Sequence, residues 1–164
     1  MENTVYKEAQ LIMGLQLEIN ADEIKKAAKR INNIKVNSQD IANAGTGIRL
    51  ILQQDVDLRF MTSPATESGG QVYGGENWEA LSDAYLVARP ERRGGQILRD
   101  TGELMQSMTA SGSPYGVWSI ATDGFVFGTA LSKAVYLQKN RPFLFWHARL
   151  IEKIAQFLAG HIAS

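Results

Sequence analysis

The fold is decided by residues 97–144, which read ILRDTGELMQSMTASGSPYGVWSIATDGFVFGTALSKAVYLQKNRPFL. The stretch begins with a short predicted helix, in which Asp100 has the position of an N-cap and Glu103 lies at N3. Leu104 and Met108 are four residues apart, so they share one face of that helix. We expect this face to be buried.

Two strands and a tight turn follow the short helix. Residues 117–121 and 125–127 are rich in β-branched and aromatic side chains, which favour strands. The segment between them, Thr122-Asp123-Gly124, carries the Asp-Gly signal of a hairpin turn, where positive φ is needed. The pattern predicts an antiparallel meander or hairpin within residues 108–129.

The end of the chain predicts a connector and a long helix. Residues 130–140 are interpreted as a short helix or an irregular connector that carries Tyr136. Pro142 suits the first turn of a helix, because its missing N–H is no loss there. From Phe143 to Ile162 apolar residues recur at helical spacing. We expect this C-terminal helix to be a main support of the core.

Working outward toward the N-terminus, residues 15–19 alternate between apolar and polar side chains, which predicts a strand. Asn20 and Glu23 then have the form of a capping box. The helix that they begin has a predicted apolar face made of Ile24, Ala27, Ala28, Ile31 and Ile34.

A second helix is predicted from Gln39 to Met61, with Ser38 as its N-cap. Gly45 and Gly47 interrupt its apolar period, and each costs about 1 kcal/mol relative to Ala in a helix interior. We interpret these glycines as places where another element approaches closely. They lack the spacing of a phosphate-binding loop, so nucleotide binding is not indicated.

Residues 62–77 form a long polar, glycine-rich connection, and we expect it to be mobile in an isolated subunit. Trp78 follows it and is interpreted as an anchor under the connection, or alternatively as an anchor in an interface. The next segment contains the densest positive charge in the chain, at Arg89, Arg92, Arg93 and Arg99. A solvated loop, phosphate contacts, or pairing with carboxylates of a neighbouring subunit would each explain these arginines.

Composition excludes several classes of function. The 164 residues suffice for one domain, and the 17 basic and 17 acidic side chains leave a net charge of zero, without the excess typical of nucleic-acid binders. There is no cysteine, so disulfides, thiolate catalysis and Cys-based zinc sites are excluded. No apolar run approaches the roughly 18 residues of a membrane span. The N-terminus lacks a signal-peptide pattern, which favours a cytoplasmic protein.

No catalytic constellation is recognisable. Thr101 and Ser107 have no His or Lys near them in sequence, so we interpret them as backbone-bonding residues and not as nucleophiles. The only histidines, His147 and His161, are far from the spacing of a metal pair and are interpreted as structural. We therefore expect no enzymatic activity, no cofactor and no metal. The overall prediction is a single α+β domain over residues 1–164, mobile at about 1–10, with the sheet packed against N-terminal helices and a long C-terminal helix.

The order and spacing of several short motifs resemble the virion morphogenesis, or tail completion, family of Mu-like phages. The first is L-x-x-T-G-x-L-x-x-S at residues 98–107, and the second is Gly128-Thr129 at the end of the predicted meander. The others are Ala134 with Tyr136, and then Arg-Pro-Phe-Leu at residues 141–144. The resemblance covers about residues 15–160 and is strongest in the last third.

The resemblance implies a structural phage protein of the head–tail neck. Its subunits would form a homo-oligomeric ring, most plausibly a hexamer, that terminates the tail tube and joins tail to head during virion assembly in the host cytoplasm. Its partners would be tail tube and possibly sheath proteins and head-side connector or stopper proteins, with DNA only passing through and no membrane contact. Two alternatives remain open, a head-side connector or adaptor ring and a DNA-binding module. The candidate subunit or partner interface consists of Tyr73, Trp78, Arg89, Arg92, Arg93, Lys133, Tyr136, Lys139 and Arg141.

Overall fold

The structure is a computed structural model, which describes residues 15–32, 35–121 and 124–163. Within these ranges the chain forms seven α-helices, one 3₁₀ turn and two antiparallel sheets, so the predicted α+β class is confirmed. In chain order the elements are β1 (Leu15–Asn20), α1 (Ala21–Asn32), α2 (Ser38–Asn43), α3 (Gly45–Met61), β2 (Gly70–Gln71), β3 (Asn77–Trp78), α4 (Asp83–Ala88), the 3₁₀ turn (Pro90–Arg92), α5 (Glu103–Thr109), β4 (Gly116–Ala121), β5 (Gly124–Thr129), α6 (Ala134–Asn140) and α7 (Ala148–Ala163).

The larger sheet has three strands in the order β1-β5-β4, all antiparallel. The β4–β5 hairpin was predicted, and its turn residues 122–123 lie outside the described residues. On the other side of β5, Leu15 of β1 lies opposite Thr129. Every residue of β5 is buried, which explains why this strand is an unbroken run of apolar and small residues. The N-terminal strand therefore completes a sheet that residues 108–129 do not form alone.

Helix α3 supplies a continuous apolar stripe to the core. Ile48, Leu52, Val56 and Phe60 are each at most 2% exposed and recur at helical spacing. Helix α3 contacts α5 and α7, while α1 packs along α7. Since burying such a side chain contributes about 1.5–3 kcal/mol, this stripe is a main support of the fold.

The C-terminal helix contributes the facing stripe, as its spacing predicted. Leu150, Ile154 and Leu158 are at most 2% exposed. Gly47 of α3 allows the two helices to approach, because a Cβ at this position would lie only 2.0 Å from Cζ of Phe157. The interpretation of Gly47 as a site of close approach is confirmed.

Four predicted boundaries or caps are wrong, and a fifth prediction, a cap, lies outside the described residues. The helix predicted from Gln39 to Met61 is two helices, because the backbone breaks at Ala44, and its N-cap is Asn37 instead of Ser38. Asn37 and Asp40 form the capping box through bonds of 2.8 and 2.9 Å. The proposed capping role of the Asn20 side chain and the burial of Ile31 and Ile34 fall on side chains outside the described residues.

The other two corrections concern the last third of the chain. Helix α5 begins after Gly102, whose positive φ of 76° supplies the turn, and Asp100 does not cap it. The C-terminal helix begins at Ala148 and not at Phe143. The side chain of Gln138 explains this, because its amide donates to the carbonyl of Leu144, an acceptor that a helix begun at Phe143 would need.

The connection at residues 62–77 was predicted without secondary structure, and this is wrong. It carries β2 and leads into β3, which pair as a small second sheet. The hydroxyl of Thr66 is buried, and its oxygen lies 2.8 Å from the carbonyl oxygen of Arg92. Backbone bonds also join Ile97 N to Pro64 O and Thr66 N to Gly95 O. These hydrogen bonds tie the connection to residues 89–97, called here the arginine segment. The mobility of the connection stays a prediction.

Candidate assembly interface

A groove of about 590 Å³ lies where three segments distant in sequence meet, residues 79–85, 92–104 and 133–141. Its apolar lining comes from Leu81, Leu98, Leu104 and Leu137, and its polar lining includes Ser82, Tyr85, Asp100, Thr101, Glu103 and Asn140. Among the residues predicted for an interface, Arg92, Lys133 and Arg141 also line it. The fold therefore brings together three of the nine predicted residues at one concave site.

The arginine segment is neutralised largely from within the chain. Arg89 bonds Glu91, and this hydrogen bond raises the pKa of Arg89 and lowers the pKa of Glu91. Asp100 lies 3.4 Å from Arg89 Nη2 and 3.5 Å from Arg92 Nη1. Asp100 thus serves as a counterion between two arginines, which explains why it does not cap α5.

Arg92 is nine-tenths buried, unlike its exposed neighbour Arg93. Its Nη2 donates to the carbonyl of Gln96 at 3.0 Å. Its Nε–H is buried and has no hydrogen-bond partner within residues 15–32, 35–121 and 124–163. Arg92 was predicted as an interface residue, but little of its side chain is accessible to a partner.

Two further predicted residues hold helix α6 in place. Lys133 forms an ion pair with Glu103 at the start of α5. Arg141 donates from Nε to the carbonyl of Glu79 at 2.9 Å and from Nη2 to the carbonyl of Ala80 at 3.0 Å. These contacts fix α6 against the segment after β3 and so form the groove wall.

Helix α6 presents three faces, because 3.6 residues make one turn. Ala134 is fully buried and faces the core. The side chains that line the groove fall on a second face, at positions 133, 137, 140 and 141. The third face is directed to solvent, with Val135 53% exposed, Tyr136 83% exposed, and Lys139 exposed as well.

Trp78 was predicted as an interface anchor, but it is fully buried and leaves no accessible side-chain surface for a partner. Its Nε1–H donates to the carbonyl of Pro142 at 2.7 Å, and its ring lies edge-on to Phe60 at 5.5 Å. The interpretation of Trp78 as an anchor under the connection is confirmed. Tyr73 is half-buried and packs within the chain, with its ring 5.4 Å from the ring of His147.

A buried polar cluster beneath Tyr73 was not predicted. Asp55 and Arg59, at most 2% exposed, form an ion pair within α3, and Asp55 Oδ1 lies 2.7 Å from His147 Nε2. Arg59 also donates to the carbonyl of Phe143 at 2.5 Å and lies 4.0 Å from the Phe145 ring. Burial lowers the pKa of Arg59, and the charge of Asp55 opposes that effect. The available signal was a pair of opposite charges four residues apart on an apolar helix face.

The hydroxyl residues of the short helix have structural contacts. The Ser107 hydroxyl lies 2.7 Å from the carbonyl of Leu104 and 2.8 Å from the hydroxyl of Thr129. Thr101 accepts from the N–H of Glu103 at 3.3 Å. These bonds match the interpretation of both residues as backbone-bonding.

Neither histidine takes part in a metal cluster, because the described ranges contain no group of three or more His, Cys, Asp or Glu placed to hold an ion. His161 is exposed beside the ring of Phe157, at 5.9 Å. In the part of the chain that the structure describes, no helix combines the length and the apolar character needed to cross a membrane.

The chain matches no protein-family model, no curated protein and no solved structure.

Proposed function

We propose that the chain is a structural protein of the phage head–tail neck. Its subunits form a homo-oligomeric ring, a hexamer, that terminates the tail tube and joins the tail to the head during virion assembly. The ring contacts tail tube proteins on one side and head-side connector proteins on the other, and DNA passes through its channel.

One observation carries this proposal. Helix α6 separates a concave groove from an exposed face that contains Val135 and Tyr136. A closed ring uses head-to-tail contacts, so each subunit needs two different patches that match each other. The exposed face of α6 and the concave groove are two such patches, one protruding and one recessed.

The residues that carry the resemblance support the same function. Leu104, Thr129, Phe143 and Leu144 are buried, and the Ser107 hydroxyl contacts that of Thr129. These positions join α5, β5 and the segment before α7. A pattern made of packing residues is expected of a structural subunit, which requires a rigid body and no reaction chemistry.

The pairing of the arginines weighs against a DNA-binding module. Arg89 and Arg92 already face Glu91 and Asp100, whereas a DNA-binding surface keeps its cations free to replace counterions along the phosphates. We expect weak DNA affinity. A strong fall of DNA affinity with rising salt would favour the alternative.

Native mass tests the ring directly. Light scattering on the purified chain, with negative-stain images of the same sample, is expected to show a closed ring of six subunits, either alone or bound to purified tail tubes. Binding to tail tubes in preference to the head-side connector would distinguish the terminator from an adaptor ring. A strict monomer that also fails to bind tail tubes would refute the assembly function.

A further inference from the structure

We propose that the outward face of α6 in one subunit docks into the groove of the next copy. In this contact Tyr136 enters the groove and Lys139 pairs with Glu79 on its rim. The inference rests on the proposed ring and names the two surfaces that close it.

The inserted group is the most exposed large hydrophobic side chain among the described residues. Tyr136 is 83% exposed and its neighbour Val135 is 53% exposed, although both belong to a short helix whose other faces are packed. A tyrosine offers a large rigid apolar surface at a small entropic cost, and such side chains are typical anchors of interfaces. The outward face of α6 therefore has the composition of a contact surface.

The groove offers a matching receptor for a phenol. Leu81, Leu98 and Leu137 provide apolar walls, and the volume of about 590 Å³ accommodates an aromatic ring. Ser82 and Asn140 add polar side chains to the lining. A phenol combines an apolar ring with a hydroxyl that donates and accepts hydrogen bonds, so Tyr136 suits a lining of this mixed character.

Charges at the two surfaces are complementary. Lys133 with Glu103, and Arg92 with Asp100, are already paired within the chain. Glu79 on the groove rim is exposed and has no salt-bridge partner among the described residues, and the same is true of Lys139, three positions after Tyr136. The docking thus places the carboxylate of Glu79 in one subunit beside the ammonium group of Lys139 in the next.

The placement of the two surfaces determines the symmetry. The outward face of α6 and the groove are different surfaces of one subunit, so the contact joins two unlike patches. When two subunits dock in this way, one of them keeps a free outward face and the other keeps a free groove. Such head-to-tail contacts form a ring when the rotation between neighbouring subunits closes, and an open filament when it does not. The docking is therefore of the kind that a ring requires, whereas an isologous contact would stop at a dimer.

The chain has no cysteine, which makes site-directed cross-linking direct. Lys139→Cys protein and Glu79→Cys protein are mixed and treated with a short thiol-reactive cross-linker, on the preparation that shows the ring in solution or on tail tubes. We expect a cross-linked dimer in the mixture and none in either protein alone. The control mixture pairs Glu79→Cys with Lys26→Cys, an exposed lysine of α1.

Charge exchange tests the same contact without a cross-linker. Lys139→Glu and Glu79→Lys should each shift the native mass to monomer, and the double exchange should restore the ring. Tyr136→Phe should weaken self-association by up to about tenfold, because it removes the hydroxyl that bonds the polar lining of the groove. Tyr115→Ala, at a tyrosine that is 45% exposed on another surface, should leave the ring unchanged.

The outcomes separate the two proposals. A ring that survives Lys139→Glu, or a mixed cross-link no stronger than the Lys26→Cys control, overturns the docking and leaves the ring function intact. A wild-type chain that forms no ring in solution or on tail tubes overturns both.

Discussion

Oδ1 of Asp55 lies 2.7 Å from Nε2 of His147, and the two side chains are 2% and 9% exposed. The other carboxylate oxygen of Asp55 pairs with Arg59, which donates onward to the carbonyls of Tyr73 and Phe143. One buried carboxylate therefore links α3, the connection before β3 and the segment that precedes α7.

Replacing Asp55 by Asn is expected to destabilise the fold by about 3–5 kcal/mol, because it leaves the buried guanidinium of Arg59 without its counterion. Urea unfolding measures the change. Asp57→Asn is the matched control, since burial already raises the pKa of Asp57 and so disfavours its charged form. Equal losses in the two variants would contradict a special role for Asp55.

Gly47→Ala should destabilise the fold by about 1–3 kcal/mol, because the new methyl group would overlap the ring of Phe157. Gly160→Ala in α7 should instead stabilise by roughly 0.5–1 kcal/mol, because nothing lies within 4 Å of its added Cβ. Thermal unfolding of the two variants tests whether the same substitution, glycine to alanine, lowers the stability at one position and raises it at the other. A partial rescue of Gly47→Ala by Phe157→Leu would locate the clash.

Trp78→Phe should cost about 1–3 kcal/mol, because the carbonyl of Pro142 loses its buried donor. Trp118→Phe is the control, since its half-buried ring makes no hydrogen bond to the described residues. Denaturant midpoints measure both changes. A smaller loss at Trp78 than at Trp118 would show that the bond to Pro142 contributes little.

The hydrogen bonds of Glu67 predict that the stability of the fold depends on pH. The N–H of Gly94 and the hydroxyl of Thr66 donate to its carboxylate at 2.7 and 2.8 Å and hold the pKa of Glu67 below its ordinary value. A lowered folded-state pKa contributes stability above the ordinary pKa and loses it as the pH falls through the lowered value. The free-energy difference between wild type and Glu67→Gln should therefore be largest at neutral pH and shrink in acid. An NMR titration that gives Glu67 an ordinary pKa would contradict this.

Local signals in the sequence predicted the elements whose partners are near in the chain. The Asp-Gly turn specified the β4–β5 hairpin, and the stripe through Ile154 placed the C-terminal helix in the core. In each case the interaction that determines the element, a turn geometry or one amphipathic face, depends on residues that are close together in the sequence.

The errors arose where a side chain from elsewhere replaced the local partner. Arg89 and Arg92 draw Asp100 away from the cap of α5, and the amide of Gln138 donates to the carbonyl of Leu144 that a helix would have used. The groove was beyond prediction for the same reason, since its walls come from three separated segments. The nine predicted interface residues consequently divide into buried, internally paired and exposed groups that only the fold reveals.

The central position of β5 determines the order in which the sheet can form. The hairpin with β4 closes locally, whereas Leu15 of β1 must wait for Thr129 and therefore for almost the whole chain to leave the ribosome. Closing so long a loop costs entropy before the pairing stabilises anything, and contacts of this kind slow folding. A chain interrupted during synthesis before Gly124 has no central strand, so the three-stranded sheet cannot form in it.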